Sequence, residues 1–191
     1  MAGRRLLMWL GAIVVVVVAF LVTSFILNYW DQSSHISRAK EQVTQIVAGF
    51  KAIYSNKPVD LGNWATDITG LAINDHIMPL DMQPQGTSCT GTKSSDTCYG
   101  VGPWTGSDVK VYSGQQFNAI GIIYSKLDET ACNQMAAALV TPNSGLAVVN
   151  INTAGYGFPP FGTSSFPTSS DIAKACNQGV ANQVQLLYSM K

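Results

Sequence analysis

The chain opens on one unbroken apolar run and continues as shorter segments of mixed polarity. From Leu6 to Trp30 no residue is charged, and Leu6 to Val22 holds nothing more polar than Gly11. At ~1.5 Å per residue these 25 residues make a helix of about 37 Å, enough to cross a hydrocarbon layer of roughly 30 Å with some tilt. A secretory signal has a shorter apolar part, about 7 to 15 residues, followed by small residues at its cleavage point. Here Tyr29 and Trp30 close the run, as interfacial anchors do. Arg4 and Arg5 precede it and Asp31 follows, so the positive-charge bias predicts a cytoplasmic stub and an exported remainder. Residues 1–30 are read as basic stub and membrane helix.

The pattern then changes to a helical period. Ile36, Ala39, Val43, Ile46 or Val47, Phe50 and Ile53 recur at intervals of three or four, with no proline before Pro58. This predicts that 31–54 continues the helix in amphipathic form. Ser55, Asn56 and Lys57 supply a stop. About three heptads fit, too few to demand a partner helix, so the stripe is expected to pack on the domain of its own chain.

Residues 55–191 read as one α+β head. Between 55 and 108 small and polar residues dominate, predicting a long connecting loop with one short helix around Trp64 to Ile73. Three β-rich runs follow, at Val109 to Tyr112, Gln116 to Ser125 and Leu146 to Ile151, with Ser113-Gly114 as a break between the first two. Asp128 is placed to cap a helix containing Cys132, and Glu129 sits in its first turn, where the dipole favours an anion. A second helix is predicted over Thr168 to Asn177, and a last strand over Asn182 to Met190. Helices on one side of an antiparallel sheet give the fold class α+β, with the long N-terminal helix packed on the sheet.

Charge narrows the function. Eleven Lys and Arg balance eleven Asp and Glu, without a basic stripe, so specific nucleic-acid binding is not expected. The two histidines, His35 and His76, lie far apart, no CxxC pair exists, and no nucleophile stands beside an oriented base. Neither metal, cofactor nor enzymatic activity is expected. In an oxidising compartment the four cysteines, Cys89, Cys98, Cys132 and Cys176, read as two disulfides, with three possible connectivities. A Cys89 to Cys98 bridge would close ten residues and a Cys132 to Cys176 bridge 45. Between the latter pair lies GYGFPPFGTSSFPTSS, whose Tyr156, Phe158, Phe161 and Phe166 are candidate surface contacts or a small core folded under the loop.

The order of basic stub, apolar then amphipathic helix, long loop, sheet and late cysteine pair resembles the type IVb pilins. GPWTGSDVKVYSG (Gly102 to Gly114), FNAIGIIYSKLDETAC (Phe117 to Cys132) and the closing AKACNQ with a terminal strand are similar to that family's segments. The resemblance implies a pilin-like fold, a Cys132–Cys176 disulfide closing 132–176, and a structural subunit of an extracellular filament. Leu6, Leu7, Trp9, Leu10, Ile13, Val14, Val17, Phe20 and Leu21 would form the filament core. The implied partners are identical subunits in a helical homopolymer, the inner membrane, the pilus assembly machinery and a host or neighbouring cell surface. The chain would sit in the inner membrane before assembly and in an extracellular pilus afterwards, serving adhesion, aggregation or conjugation. Family members are cut after a glycine and keep a glutamate fifth in the mature chain. Here no acid precedes Asp31; cutting after Gly3 puts Met8 fifth, cutting after Gly11 puts Val16 there, and an uncut chain has Arg5. That departure raises the alternatives of a minor or initiating pilin, or of a single-pass anchored binding module.

Overall fold

The computed structural model describes residues 2–54, 66–83, 98–114, 119–141, 145–158, 162, 165–177, 179 and 181–190, with side chains omitted at 2–12, 25, 27–29 and 114. It divides into two units, Met1–Ser37 and Arg38–Lys191.

One helix, α1 (Ala2–Tyr54), runs through both. In the first unit its described apolar side chains have no cover: Ile13, Val14, Val17, Phe20 and Leu21 are all at least half exposed, Phe20 at 72%. The helix persists there because Leu, Ala and Met favour it and no proline or glycine cluster breaks it. Thr23 and Ser34 donate their hydroxyls to the carbonyls of Ala19 and Asp31, so polar side chains are satisfied within the helix.

In the second unit the helix becomes amphipathic. Ala39, Gln42, Val43, Ile46 and Phe50 are buried, whereas Lys40, Glu41, Thr44 and Lys51 are exposed. The buried stripe joins a core built on a six-stranded sheet, antiparallel at every pairing. Its strands are β1 (Gly100–Val101), β2 (Asp108–Gly114), β3 (Ala119–Leu127), β4 (Leu146–Ile151), β5 (Ala154–Gly157) and β6 (Asn182–Ser189), in the order β1-β2-β3-β6-β4-β5. The last strand is therefore inserted between β3 and β4. It alternates strictly, with Asn182, Val184, Leu186 and Tyr188 buried and the residues between them less so. Central β3 is buried nearly throughout. Helices interrupt the strand order in sequence: α3 (Glu129–Leu139) lies between β3 and β4, and α4 (Ser169–Ala175) between β5 and β6.

Several boundaries depart from the sequence reading. Ser113-Gly114 is not a break: both residues belong to β2 and pair with Ile120 and Ala119. Ser113 is buried, and its amide donates to the Thr66 carbonyl at 2.9 Å, so a partner distant in sequence extends the strand. The connection over 55–108 is not structureless where it is described. It contains α2 (Thr69–Asn74), a 3-10 turn (Leu80–Met82) and β1, and it contributes Ile68, Ala72, Ile77, Met78 and Met82 to the core. These apolar residues follow no single period, which hid them. Strand β5 was also missed, because Gly-Tyr-Gly offers little β propensity. Gln116 to Asn118, Trp64, Cys89 and Phe161 lie outside the described residues.

Candidate functional site

Three features of the second unit could carry function: the polar fastening of α1, the region closed by the disulfide, and two surface concavities.

The fastening of α1 runs from the core to the surface. The Tyr124 hydroxyl, fully buried, donates to Gln42 Oε1 at 3.2 Å; Gln42 Nε2 donates to Asp81 Oδ2 at 3.2 Å; Arg38 Nε donates to the same oxygen at 2.7 Å. Burial pushes the Tyr124 phenol far above its ordinary range, so it stays a neutral donor. Because both partners of the Arg38–Asp81 pair are 40–50% exposed, its value lies in register rather than energy. At the other end of α1, Tyr54 donates its hydroxyl to the Asp75 carboxylate. Burial first, then that hydrogen bond and the Asp75 charge, raise the Tyr54 phenol from 10.0 to about 12. A raised phenol favours the folded state while it is protonated. The Tyr54 contribution is therefore complete below pH 10 and lost as pH climbs from 10 to about 12. Denaturation midpoints across this window are expected to fall less steeply in Tyr54→Phe than in the parent chain.

The disulfide-closed region has a polar centre. Cys132 of α3 and Cys176 at the end of α4 are bonded, with Cα atoms 5.7 Å apart, and both are fully buried. Asp128 caps α3, accepting from the Ala131 amide at 2.7 Å; Thr168 and Asp171 form a reciprocal capping box on α4. Cys98 is buried and disulfide-bonded too. At the β4–β5 turn Asn152 takes a left-handed conformation, φ 52°, which asparagine tolerates better than most residues. Its Nδ2 donates to the Ala175 carbonyl at 2.6 Å and to Asn182 Oδ1 at 2.8 Å, while its Oδ1 accepts from the Gln183 amide at 2.8 Å. Asn182, fully buried, donates in turn to the carbonyls of Leu127 and Gly179. One pair of amides thus ties together the end of β3, the β4–β5 turn, the end of α4 and the start of β6. Nothing in the sequence marked Asn152 or Asn182, since their partners are assembled from four separate segments.

Of the candidate contact aromatics, burial speaks against a surface role for Phe158 alone. Phe158 is only 2% exposed and stacks on half-buried Phe166, ring centroids 4.0 Å apart, so it faces the core rather than a partner. Tyr156 is half-buried and packs against the same core. The apolar rings gain more by burial than by exposure, and this pair joins the main core.

Among the described residues two concavities are of interest. A groove of about 540 Å³ lies between α1 and the end of α3, floored by Val43, Val47, Leu139 and Tyr188, with Lys40 and Lys51 along it. A second, of about 380 Å³, lies between β5 and α4. Among the described residues no three of His, Cys, Asp and Glu gather to hold a metal ion. His35 lies 3.4 Å from Asp31 one turn back along α1, and His76 follows the end of α2 with φ 56°. Among the described residues no helix is long and apolar enough to cross a membrane. The sequence run from Leu6 to Trp30 falls partly on side chains outside that description, those of Leu6, Leu7, Trp9 and Leu10 among them.

The family described as PilS N terminal matches residues 33–189, most of the chain. No curated protein sequence matches it. The fold is similar to that in the crystal structure of TcpA, a type IV pilin from Vibrio cholerae El Tor biotype. The TM-score is 0.51 at 12% identity, covering 82% of this chain and 99% of that one. Family and fold both agree with the resemblance to the type IVb pilins in the sequence. The chain belongs to the PilS N-terminal family and has the α+β fold of a type IV pilin.

Proposed function

We propose that the chain is a structural subunit of a type IV pilus-like filament, polymerised from identical copies through the apolar part of α1. The observation that carries this reading is the row of large apolar side chains left uncovered on α1, Ile13 through Val22. Exposing a Val, Leu, Ile or Phe side chain to water forgoes roughly 1.5–3 kcal/mol. A row of them calls for lipid or for other apolar helices, and a bundle of identical helices satisfies every copy at once. The run from Leu6 to Trp30 supports an inner-membrane residence before assembly, with Cys132 and Cys176 formed into a disulfide after export. The head then sits on the outside of an extracellular filament that serves adhesion, aggregation or conjugation.

The second reading is a minor or initiating pilin, or an anchored module that does not polymerise. It is favoured by Arg4, Arg5 and the absence of any acid before Asp31, since an unpaired amine in an apolar core is costly. Shearing the cells and analysing the released material by electron microscopy and mass spectrometry tests the filament. The chain is expected in the filament fraction with a trimmed N-terminus. Its absence from every such fraction, with a full-length mass in the membrane, would establish the anchored module instead.

A further inference from the structure

We propose that the concavity between β5 and α4 binds a neutral pyranose sugar at the end of a surface glycan. One wall is the β4–β5 hairpin, with Thr153, Ala154 and Tyr156; the other is α4 and its exit, with Asp171 in the first turn, Lys174 in the last and Asn177 beyond it. Its volume of about 380 Å³ stands at the small end of ligand pockets, roughly 300–1,000 Å³.

The walls are held rigidly without any ligand. Asn152 Nδ2 donates to the Ala175 carbonyl at 2.6 Å, joining the hairpin directly to α4, and the Cys132–Cys176 bond anchors the end of α4 to α3. A site whose walls are fixed in advance loses little entropy when it is filled.

The lining selects the class of ligand. Tyr156 packs against the core while also lining the space, and such an aromatic ring suits the apolar C–H face of a pyranose. Around it stand groups suited to hydroxyls. Thr153, Tyr156 and Lys174 make no side-chain hydrogen bond among the described residues, and the capping box of Asp171 uses Oδ2, leaving Oδ1. The Asp171 carboxylate and Lys174 ammonium carry opposite charge, which disfavours a strongly ionic ligand of either sign. A mostly polar lining with a single aromatic disfavours a lipid tail or an apolar peptide. A ring with one apolar face and a hydroxylated edge meets all of these conditions.

The test uses the full chain, unassembled in detergent micelles, and therefore stands whether or not the protein forms filaments. Saturation-transfer NMR is recorded with the methyl glycosides of galactose, glucose and mannose, and with N-acetylneuraminic acid. At least one neutral glycoside is expected to receive saturation at its ring protons. Its affinity should fall at least tenfold in Tyr156→Ala and at least threefold in Thr153→Val and Lys174→Met, whose exposed positions leave the unfolding midpoint unchanged. The proposal is overturned if no neutral glycoside binds, if only the anionic sugar does, or if binding persists at full strength in Thr153→Val and Lys174→Met.

Discussion

The double variant Cys132→Ala, Cys176→Ala is expected to lose about 4 kcal/mol of stability in the head, the chain-entropy value for a closed loop of this length. Alanine is the replacement of choice because both sulfurs are fully buried, and serine would add the cost of an unpartnered hydroxyl. With a urea slope of about 2 kcal/mol per molar, the midpoint should move down by about 2 M. The effect is larger than the number of residues touching the bond would suggest. The disulfide ties α3 to α4 across a stretch containing two β-strands and the stacked Phe158 and Phe166, so the unfolded chain regains all of that freedom when the bond is removed. Reduction is a poorer test, since Cys98 is also in a disulfide. Urea denaturation of the oxidised variant beside the parent, followed by far-UV circular dichroism, gives the number. A loss below about 1 kcal/mol would show that the unfolded chain keeps residual structure across the loop.

Phe50→Ala should cost about 3–5 kcal/mol, the usual range for deleting a buried aromatic ring. Phe50 is fully buried and belongs to the same apolar cluster as Ile46, Ile68, Ile122 and Tyr124, with the Tyr54 ring 5.7 Å away. Its removal leaves a cavity where the stripe of α1 joins the core, and α1 cannot rotate to fill it. Gly49 already approaches Ile77 so closely that an added Cβ would stand 2.9 Å from its Cγ2. The loss should appear as faster amide hydrogen exchange over Arg38 to Tyr54, with Lys51→Ala on the exposed face as the neutral control. Equal exchange in the two variants would mean that this half of α1 is held by Arg38, Gln42 and Tyr54 rather than by its apolar stripe.

Much of this was readable along the chain because it depends on neighbours three or four residues away. The stripe of Ala39, Val43, Ile46 and Phe50 announced a helix with one buried face, and that face is buried. Strand β4 coincides with the run read from its β-branched residues, and Asp128 caps α3 as its position suggested. What failed was local inference about segments whose conformation is fixed from elsewhere. The buried residues of α2 and its surroundings are spaced irregularly because they plug gaps beside α1 and β2. Ser113 looked like a turn residue and is a strand residue because Thr66 meets it. The aromatic residues near Phe158 could have faced either way on composition alone.

The sequence by itself determined the apolar run of α1, its change to an amphipathic period, the even set of cysteines and the α+β class. Each follows from a period or composition that acts within a single segment. Only the tertiary structure decided that β6 lies between β3 and β4, that Phe158 turns inward, and that Asn152 joins β5 to α4. These depend on hydrogen bonds and burial between residues up to 70 positions apart, as in the pairing of Ala119 with Ser189, and no local pattern encodes them.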